Sequence, residues 1–249
     1  MRRLDVVQWG ADRLRIGTWR GDDRVAILTP LPGQPAPPGG ITRALDRLRA
    51  QGIDRAITAA LPAPEAEPFL AAGFAVRERL ELLRHDLRAL PTAPDVHLRR
   101  GWRRDQDAVL ALDARAFSPF WRFDRDALVD ARAATPSSQF RLAGRNRPQG
   151  YAVTGRAGGI GYLQRLAVDP DHQGRGVGTA LIVDALRWAR HHRVEHLLVN
   201  TQEDNLGAIR LYEALGFAPE PHGLSVLDVD LLAVDTTSAS DAEPESTTP

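Results

Sequence analysis

The chain has 249 residues, of which 43% are hydrophobic and 26% are charged, and its 32 Lys and Arg residues balance 32 Asp and Glu residues. These values are typical of a soluble globular protein and give no indication of a nucleic-acid or membrane-surface partner. The absence of Cys excludes disulfides, thiolate metal sites and a Cys nucleophile.

Residues 1–88 are predicted to form a first globular block. The start of the chain lacks the apolar core of a signal peptide, and no segment approaches the ~20 apolar residues of a membrane helix, so we expect a cytoplasmic protein. A loop rich in Pro and Gly covers residues 30–40. The predicted elements of this block are strands over 6–9, 13–19, 24–29, 53–61 and 80–87 and a helix over 42–51.

Residues 89–95 (ALPTAPD) are predicted to be a linker to a second block, 96–232. Residues 233–249 are polar, acidic and contain Pro, which predicts a disordered tail. The predicted elements of the second block are strands over 97–102, 140–144, 150–154, 161–168, 195–200 and 224–231 and helices over 105–117, 125–134, 179–191 and 206–215. This order predicts an α/β (α+β) unit around a mixed sheet.

A glycine-rich loop, DPDHQGRGVG at residues 169–178, joins the strand at 161–168 to the helix at 179–191. A Gly-rich turn that leads into a helix N-terminus presents backbone N–H groups and roughly half a positive charge, which favours a bound pyrophosphate. The loop is not a P-loop, because the chain has no Lys, and its glycine spacing departs from the dinucleotide-binding pattern G-x-G-x-x-G. It fits the pattern Q-x-x-G-x-G from Gln173 to Gly178.

This loop and the segment NTQEDNLGAIRLYEALGF at 200–217 together resemble the GCN5-related N-acetyltransferase (GNAT) family. The resemblance spans about residues 97–231. It implies a GNAT fold with a splayed central sheet, acetyl-CoA as co-substrate and N-acetyltransferase activity. The stretch AFSPFW at 116–121 also loosely resembles ribosomal-protein alanine N-acetyltransferases, which favours a peptide N-terminus as acceptor.

The family's cofactor-binding positions fall on one strand, the glycine loop and one helix of this chain. In the family, the pantetheine arm pairs with the fourth strand like an added strand. The resemblance assigns the arm and the thioester carbonyl to Leu166, Ala167 and Val168, and places Asn205 and Ala208 beside the arm. It assigns the pyrophosphate to Gln173, Gly174, Arg175, Gly176, Val177, Gly178 and Thr179.

Tyr212 is the expected general acid. The amine attacks the thioester directly, and the leaving thiolate then needs a proton that a Tyr hydroxyl of pKa ~10 can supply. Many family members carry a Glu where this chain has Asn200, which cannot accept a proton, so Asn200 is expected only to position the amine or a water. The alternatives for the base are ordered water, Glu203, Asp204, Asp124 and His172.

The segment 117–124 (FSPFWRFD) is expected to bind the acceptor, because family members place it beside the acceptor channel. Phe120, Trp121 and Phe123 are expected to form apolar walls, and Asp124 to supply charge. The alternative is that the rings only cap the core. We expect no metal, since adjacent His residues such as those at 191–192 point in different directions on a helix.

Residues 1–88 resemble a shortened second copy of the same fold. FLAAGF at 69–74 matches YEALGF at 212–217, and a β-like run ending in Asp-Leu follows each. Phe69 stands where Tyr212 stands, and prolines occupy the loop where N–H donors are needed. We expect this copy to be catalytically inactive and to support the acceptor site.

Two functions fit these patterns. The first is an N-acetyltransferase that moves an acetyl group to a primary amine, either a protein or peptide N-terminus or a small molecule. The second is a non-catalytic acyl-CoA-binding sensor. Tyr212 favours the enzyme, and we expect it to be a monomer or a homodimer.

Overall fold

The structure is a computed structural model and describes residues 5–9, 12–31 and 36–232. The strands are β1 (Asp5–Trp9), β2 (Asp12–Trp19), β3 (Asp22–Thr29), β4 (Arg55–Thr58), β5 (Ala75–His85), β6 (Leu98–Arg100), β7 (Ser137–Ala143), β8 (Gly150–Ala157), β9 (Ile160–Val168), β10 (His196–Gln202), β11 (Ala218–Pro219) and β12 (Leu224–Asp230). The helices are α1 (Pro38–Ala50), α2 (Ala63–Ala71), α3 (Gln106–Ala116), α4 (Arg125–Ala133), α5 (Val177–His191) and α6 (Leu206–Ala214).

The strands form one mixed sheet. Its order is β1-β2-β3-β4-β12-β5-β10-β9-β8-β7-β6, and the short β11 pairs with β5. β3 with β4 and β9 with β10 are parallel, whereas the other neighbours are antiparallel. The mixed sheet predicted from the sequence is therefore confirmed.

The order of elements repeats along the chain. β1-β2-β3-α1-β4-α2-β5 in the first half matches β7-β8-β9-α5-β10-α6-β12 in the second, with one parallel crossover through a helix in each. Equivalent aromatic pairs, Phe69–Phe74 and Tyr212–Phe217, have ring-centroid distances of 5.3 and 5.5 Å. This repeat confirms the predicted tandem architecture.

The two halves exchange their last strands. β5 of the first half lies beside β10, with Leu83 opposite Val199, and β12 of the second half lies beside β4, with Asp228 opposite Ile57. β5 and β12 also pair with each other, so the sheet runs without interruption from one half to the other. Because these hydrogen bonds cross the proposed linker at 89–95, the division into folding units at that point stays a prediction.

Apolar clusters pack the helices on both faces of the sheet. One lies under α5 and α6, a second under α1 and α2, and a third under α3 and α4. A fourth cluster joins the two halves through Trp19, Leu80 and Val226, with Phe120 and Trp121 packed against it. The acceptor segment predicted from the sequence therefore touches the first half of the chain.

Two helices begin earlier than the sequence patterns predict. α1 begins at Pro38 instead of residue 42, because Pro is tolerated in the first turn, where its missing N–H has no helical partner. α5 begins at Val177 instead of residue 179, directly after Gly176. The predicted tail at 233–249 and part of the Pro/Gly-rich loop lie outside the described residues.

Candidate functional site

β9 and β10 separate halfway along their length. Their parallel pairing ends at Tyr162 and Leu198, although the strands continue to Val168 and Gln202. On the other side of β9, a register shift against β8 leaves Gln164 without an opposite residue. A β-bulge of this kind bends a strand and increases its twist. The bulge therefore lies where the strands part, and the result is a cleft between them.

The predicted arm-binding residues line this cleft. Leu166, Ala167 and Val168 follow the point of separation, so the β9 edge that faces β10 has no partner strand there. Leu166 and Val168 pack toward α5 and α6, whereas Ala167 is buried under α3 and α4. An unpaired strand edge presents N–H and C=O groups to which an extended ligand can add. The geometry fits an extended pantetheine arm.

The glycine loop follows β9 directly and ends in the first turn of α5. Gly174 and Gly176 have φ values of +70° and +78°, a conformation that glycine adopts without strain. Among the described residues, no backbone acceptor receives a hydrogen bond from the N–H groups of 174–179. An added Cβ on Gly178 would lie 3.3 Å from the Leu211 side chain, so this glycine lets α6 approach α5. The free N–H groups and the helix dipole suit a pyrophosphate.

Two carboxylates fix the glycine loop against α3. Buried Asp169 accepts hydrogen bonds from Arg115 at 2.9 Å and from the Asp171 N–H at 3.0 Å. Arg115 also donates to Asp171 at 2.7 Å, and this hydrogen bond lowers the pKa of Asp171. Sequence patterns missed Arg115, because nothing in them links it to a loop 54 residues away.

Asn205 and Ala208 lie at the start of α6. The Asn205 side-chain oxygen accepts a hydrogen bond from the Ala208 N–H at 3.2 Å, and its Nδ2 donates to Thr201 at 3.1 Å. Asn205 is therefore the N-cap of α6 and ties that helix to β10. Its predicted contact with the arm stays a prediction.

Tyr212 lies on the α5–α6 face of β10. Leu197 and Val199 belong to the same apolar cluster, and only 4% of Tyr212 is exposed. Burial raises the pKa of its hydroxyl, and no described residue gives that hydroxyl a hydrogen bond. The group is consequently a protonated donor with no partner inside the protein.

Asn200 lies on the opposite face of β10, since side chains alternate along a strand. It is exposed, it stands opposite Leu82 of β5, and its amide has no partner among the described side chains. The two predicted catalytic residues, Asn200 and Tyr212, therefore lie on opposite faces of the sheet.

The other predicted bases are dispersed. The Asp124 carboxylate accepts a hydrogen bond from the Ala127 N–H at 2.7 Å and caps α4. His172 lies in the glycine loop, and Glu203 and Asp204 are exposed beyond the end of β10. The structure does not gather these groups around Asn200.

A buried ion pair holds the acceptor segment in place. Asp113 is fully buried, and both of its oxygens accept hydrogen bonds from Arg165 of β9, at 2.9 and 2.8 Å. The same carboxylate accepts from the Tyr151 hydroxyl at 2.5 Å and from the Phe123 N–H at 2.7 Å. Burial, with the neighbouring Asp113 charge, raises the pKa of Tyr151. The network fixes the distance between the acceptor segment and the cleft strand.

The acceptor segment also contacts the first half of the chain. Phe120 stacks on Trp19 at 5.1 Å, and Arg20 lies over Trp121 at 4.9 Å. A cavity of about 320 Å³ lies beside these contacts, between the acceptor segment and the β2–β3 turn. Trp19 and Arg20 form part of its walls. Three of the four predicted acceptor residues also line it: Phe120, Phe123 and Asp124. The sequence patterns did not indicate that Trp19 and Arg20 contact the acceptor segment, because about a hundred residues separate them from it in the chain.

Within the part of the first half that the structure describes, β3 and β4 do not part as β9 and β10 do. β3 and β4 stay paired up to Leu28 and Thr58, and the Ala59 N–H still donates to Leu28 at 3.3 Å. Pro37 and Pro38 stand at the start of α1, where α5 offers free N–H groups. The expected catalytic inactivity of this half stays a prediction.

No helix within 5–9, 12–31 or 36–232 is long and apolar enough to cross a membrane. Within those same ranges, no three His, Cys, Asp or Glu side chains are placed to hold a metal ion.

Known proteins resemble this chain in sequence and in fold. The profile of the Acetyltransferase (GNAT) family matches residues 107–217. The mycothiol acetyltransferase of Acidothermus cellulolyticus is 37% identical over 172 residues, which are 58% of this chain and 53% of the relative. The mycothiol acetyltransferase of Salinispora arenicola is 32% identical over 203 residues, 68% of this chain and 66% of the relative. The chain thus spans only part of these relatives. A tandem GNAT protein from the clavulanic acid biosynthesis pathway has the same fold, with a TM-score of 0.65 and 18% identity over 92% of this chain and 83% of its own.

Proposed function

Because the chain belongs to the acetyltransferase (GNAT) family, we propose that it transfers the acetyl group of acetyl-CoA to a primary amine. The observation that supports this best is the cleft between β9 and β10. It has one open strand edge, a glycine loop with free N–H groups follows that strand, and Tyr212 belongs to the apolar cluster against which Leu166 and Val168 pack.

Acetyl-CoA supplies the acetyl group as an activated thioester. The N–H groups of residues 174–179 bind the pyrophosphate, with Arg175 and Gln173 beside them on the exposed side of the loop. The β9 edge at 166–168 binds the pantetheine arm as an added strand. Asn205 and Ala208 hold the start of α6 against the arm, and so place Tyr212.

The amine nitrogen forms a bond to the carbonyl carbon while the carbon–sulfur bond breaks. Negative charge grows on the carbonyl oxygen, and fixed N–H donors of β9 stabilise it. The Tyr212 hydroxyl donates its proton to the leaving thiolate, and its raised pKa keeps it protonated for that step. Asn200 orients the amine from the other face of β10.

The acceptor is a small molecule with a primary amine, bound beside the acceptor segment. The cavity there, about 320 Å³, suits a small ligand, and Trp19 and Arg20 restrict it on the side of the first half. Both curated relatives are named for mycothiol, a name that agrees with a small acceptor. The first half is inactive and shapes this pocket.

A thiol-release assay with acetyl-CoA tests the activity. The acceptors are cysteinyl amino sugars, linear diamines and peptides with free N-termini, and calorimetry measures acetyl-CoA binding in parallel. We expect release with a small amine, and its loss in Tyr212→Phe. Release with peptides alone would contradict the small acceptor, and binding without any release would favour an acyl-CoA sensor.

A further inference from the structure

Glu78 of β5 lies on the same face of the sheet as Asn200. Leu80, two residues further on, belongs to the apolar cluster that contacts the acceptor segment, whereas Leu83 faces α5 and α6. Side chains two residues apart along a strand share a face, so Glu78, Leu80 and Leu82 point toward the acceptor side. Leu82 stands opposite Asn200, and Glu78 lies four residues along the same strand, beyond Leu80, which pairs with Gln202 at the end of β10.

Trp121 connects Glu78 to the cleft strand. Its indole N–H donates to Glu78 Oε1 at 2.6 Å, while its backbone carbonyl accepts from Arg165 Nη2 at 2.8 Å. Arg165 precedes Leu166, the first of the predicted arm-binding residues. A single tryptophan thus spans the space between the carboxylate and β9.

The Glu78 carboxylate lacks a cation. Its Oε2 is buried without a partner, and no described side chain forms an ion pair with it. The neighbouring Arg side chains have other partners, since Arg77 donates to Asp228 at 2.6 Å and Arg165 to Asp113. A second orphaned group, the Trp19 indole N–H, belongs to the same cluster.

Glu78 is half-buried, and its shielded oxygen lacks a partner that a positively charged ligand could supply. The only cation that the proposed reaction brings to this face is the ammonium group of the acceptor. That ammonium must lose one proton before its nitrogen can attack, and Asn200 cannot take it.

We propose that Glu78, a residue of the inactive half, binds the acceptor ammonium and accepts its proton. This inference rests on the proposed acetyl transfer. One proton passes from nitrogen to the Glu78 carboxylate and later returns to water. A second leaves the nitrogen as the amide forms and replaces the proton that Tyr212 gives to the thiolate. The net reaction yields amide, free thiol and one proton.

The test is Glu78→Gln, which keeps the shape and removes the charge. At pH 7 we expect kcat/KM for the small amine to fall about 100-fold, the scale of general-base catalysis. The loss shrinks as the pH rises toward the pKa of the amine itself, ~8 to ~10, because the free amine needs no base. Acetyl-CoA binding measured by calorimetry stays unchanged.

Two control variants separate this role from a structural one. Glu81→Gln lies on the opposite face of β5 and should leave kcat/KM unchanged. Trp121→Phe removes the donor to Glu78 but keeps the carboxylate, so any loss it causes should not recover at high pH. An equal loss in Glu78→Gln at every pH, or no loss at all, would overturn the proposal. Wild-type protein that binds acetyl-CoA but releases no thiol with any amine would instead overturn the proposed function.

Discussion

The Asp113→Asn variant should unfold at a markedly lower urea concentration than the wild-type protein. Asp113 is fully buried, and the Arg165 side chain that it neutralises is only 9% exposed. Breaking a buried ion pair from one side costs about 3–5 kcal/mol, because the remaining charge stays buried and unpaired. For a chain of this size, ~2–4 °C is lost per kcal/mol, so Tm should fall by about 6–20 °C. Urea unfolding gives the free energy of unfolding directly.

The matched control is Asp107→Asn, on the exposed face of the same helix. Its carboxylate pairs with Arg125, but its side chain is 84% exposed, so the pair contributes less than about 1 kcal/mol. Asp113→Asn combined with Arg165→Met should recover part of the stability, because no charge is then left buried. An Asp113→Asn shift no larger than that of Asp107→Asn would refute the reasoning.

Three further changes have defined outcomes. Tyr212→Phe should lower kcat about 100-fold or more and leave the calorimetric Kd for acetyl-CoA unchanged, because only proton donation is lost. Gly176→Ala places a side chain at φ +78° and 3.1 Å from Pro94, so it should weaken acetyl-CoA binding and cost about 1 kcal/mol or more in urea unfolding; Gly207→Ala, whose Cβ would make only an ordinary 3.9 Å contact with Asn205 and which has no positive φ, should do neither. Burial lowers the pKa of His85, so the unfolded chain binds more protons than the folded one; urea midpoints should therefore fall as the pH drops below ~6.5, less so in His85→Gln.

Local patterns in the sequence predict the glycine loop and the two helices, α5 and α6, that follow the cleft strands. The alternating glycines of the loop, the apolar spacing of α5 and the segment that contains Tyr212 are each contained within about twenty consecutive residues. The structure of each of these segments depends mainly on residues close in the chain, so the local sequence predicts that structure. The exact start of α5 was missed by two residues, because a left-handed Gly176 can precede a helix as easily as stand within a turn.

The acceptor side depends on contacts that no local pattern contains. Asp113 and Arg165 are 52 residues apart, and Glu78 and Trp121 are 43 apart. A β-like run shows that a strand forms but not which strand it pairs with, so the placement of β5 beside β10 was not predictable from residues 80–87 alone. The β-bulge at Gln164 could not be predicted either, because it arises from a register difference between two strands.

The exchange of β5 and β12 makes each half of the sheet depend on the other for its strand pairing. Without β5, the cleft strand β10 would be an edge strand, and the backbone N–H and C=O groups that now face β5 would be open to unwanted pairing. Without β4 and β5, β12 would have no partner at all. The first half provides the strand β5 that closes the sheet and the Trp19 wall of the cavity beside the acceptor segment.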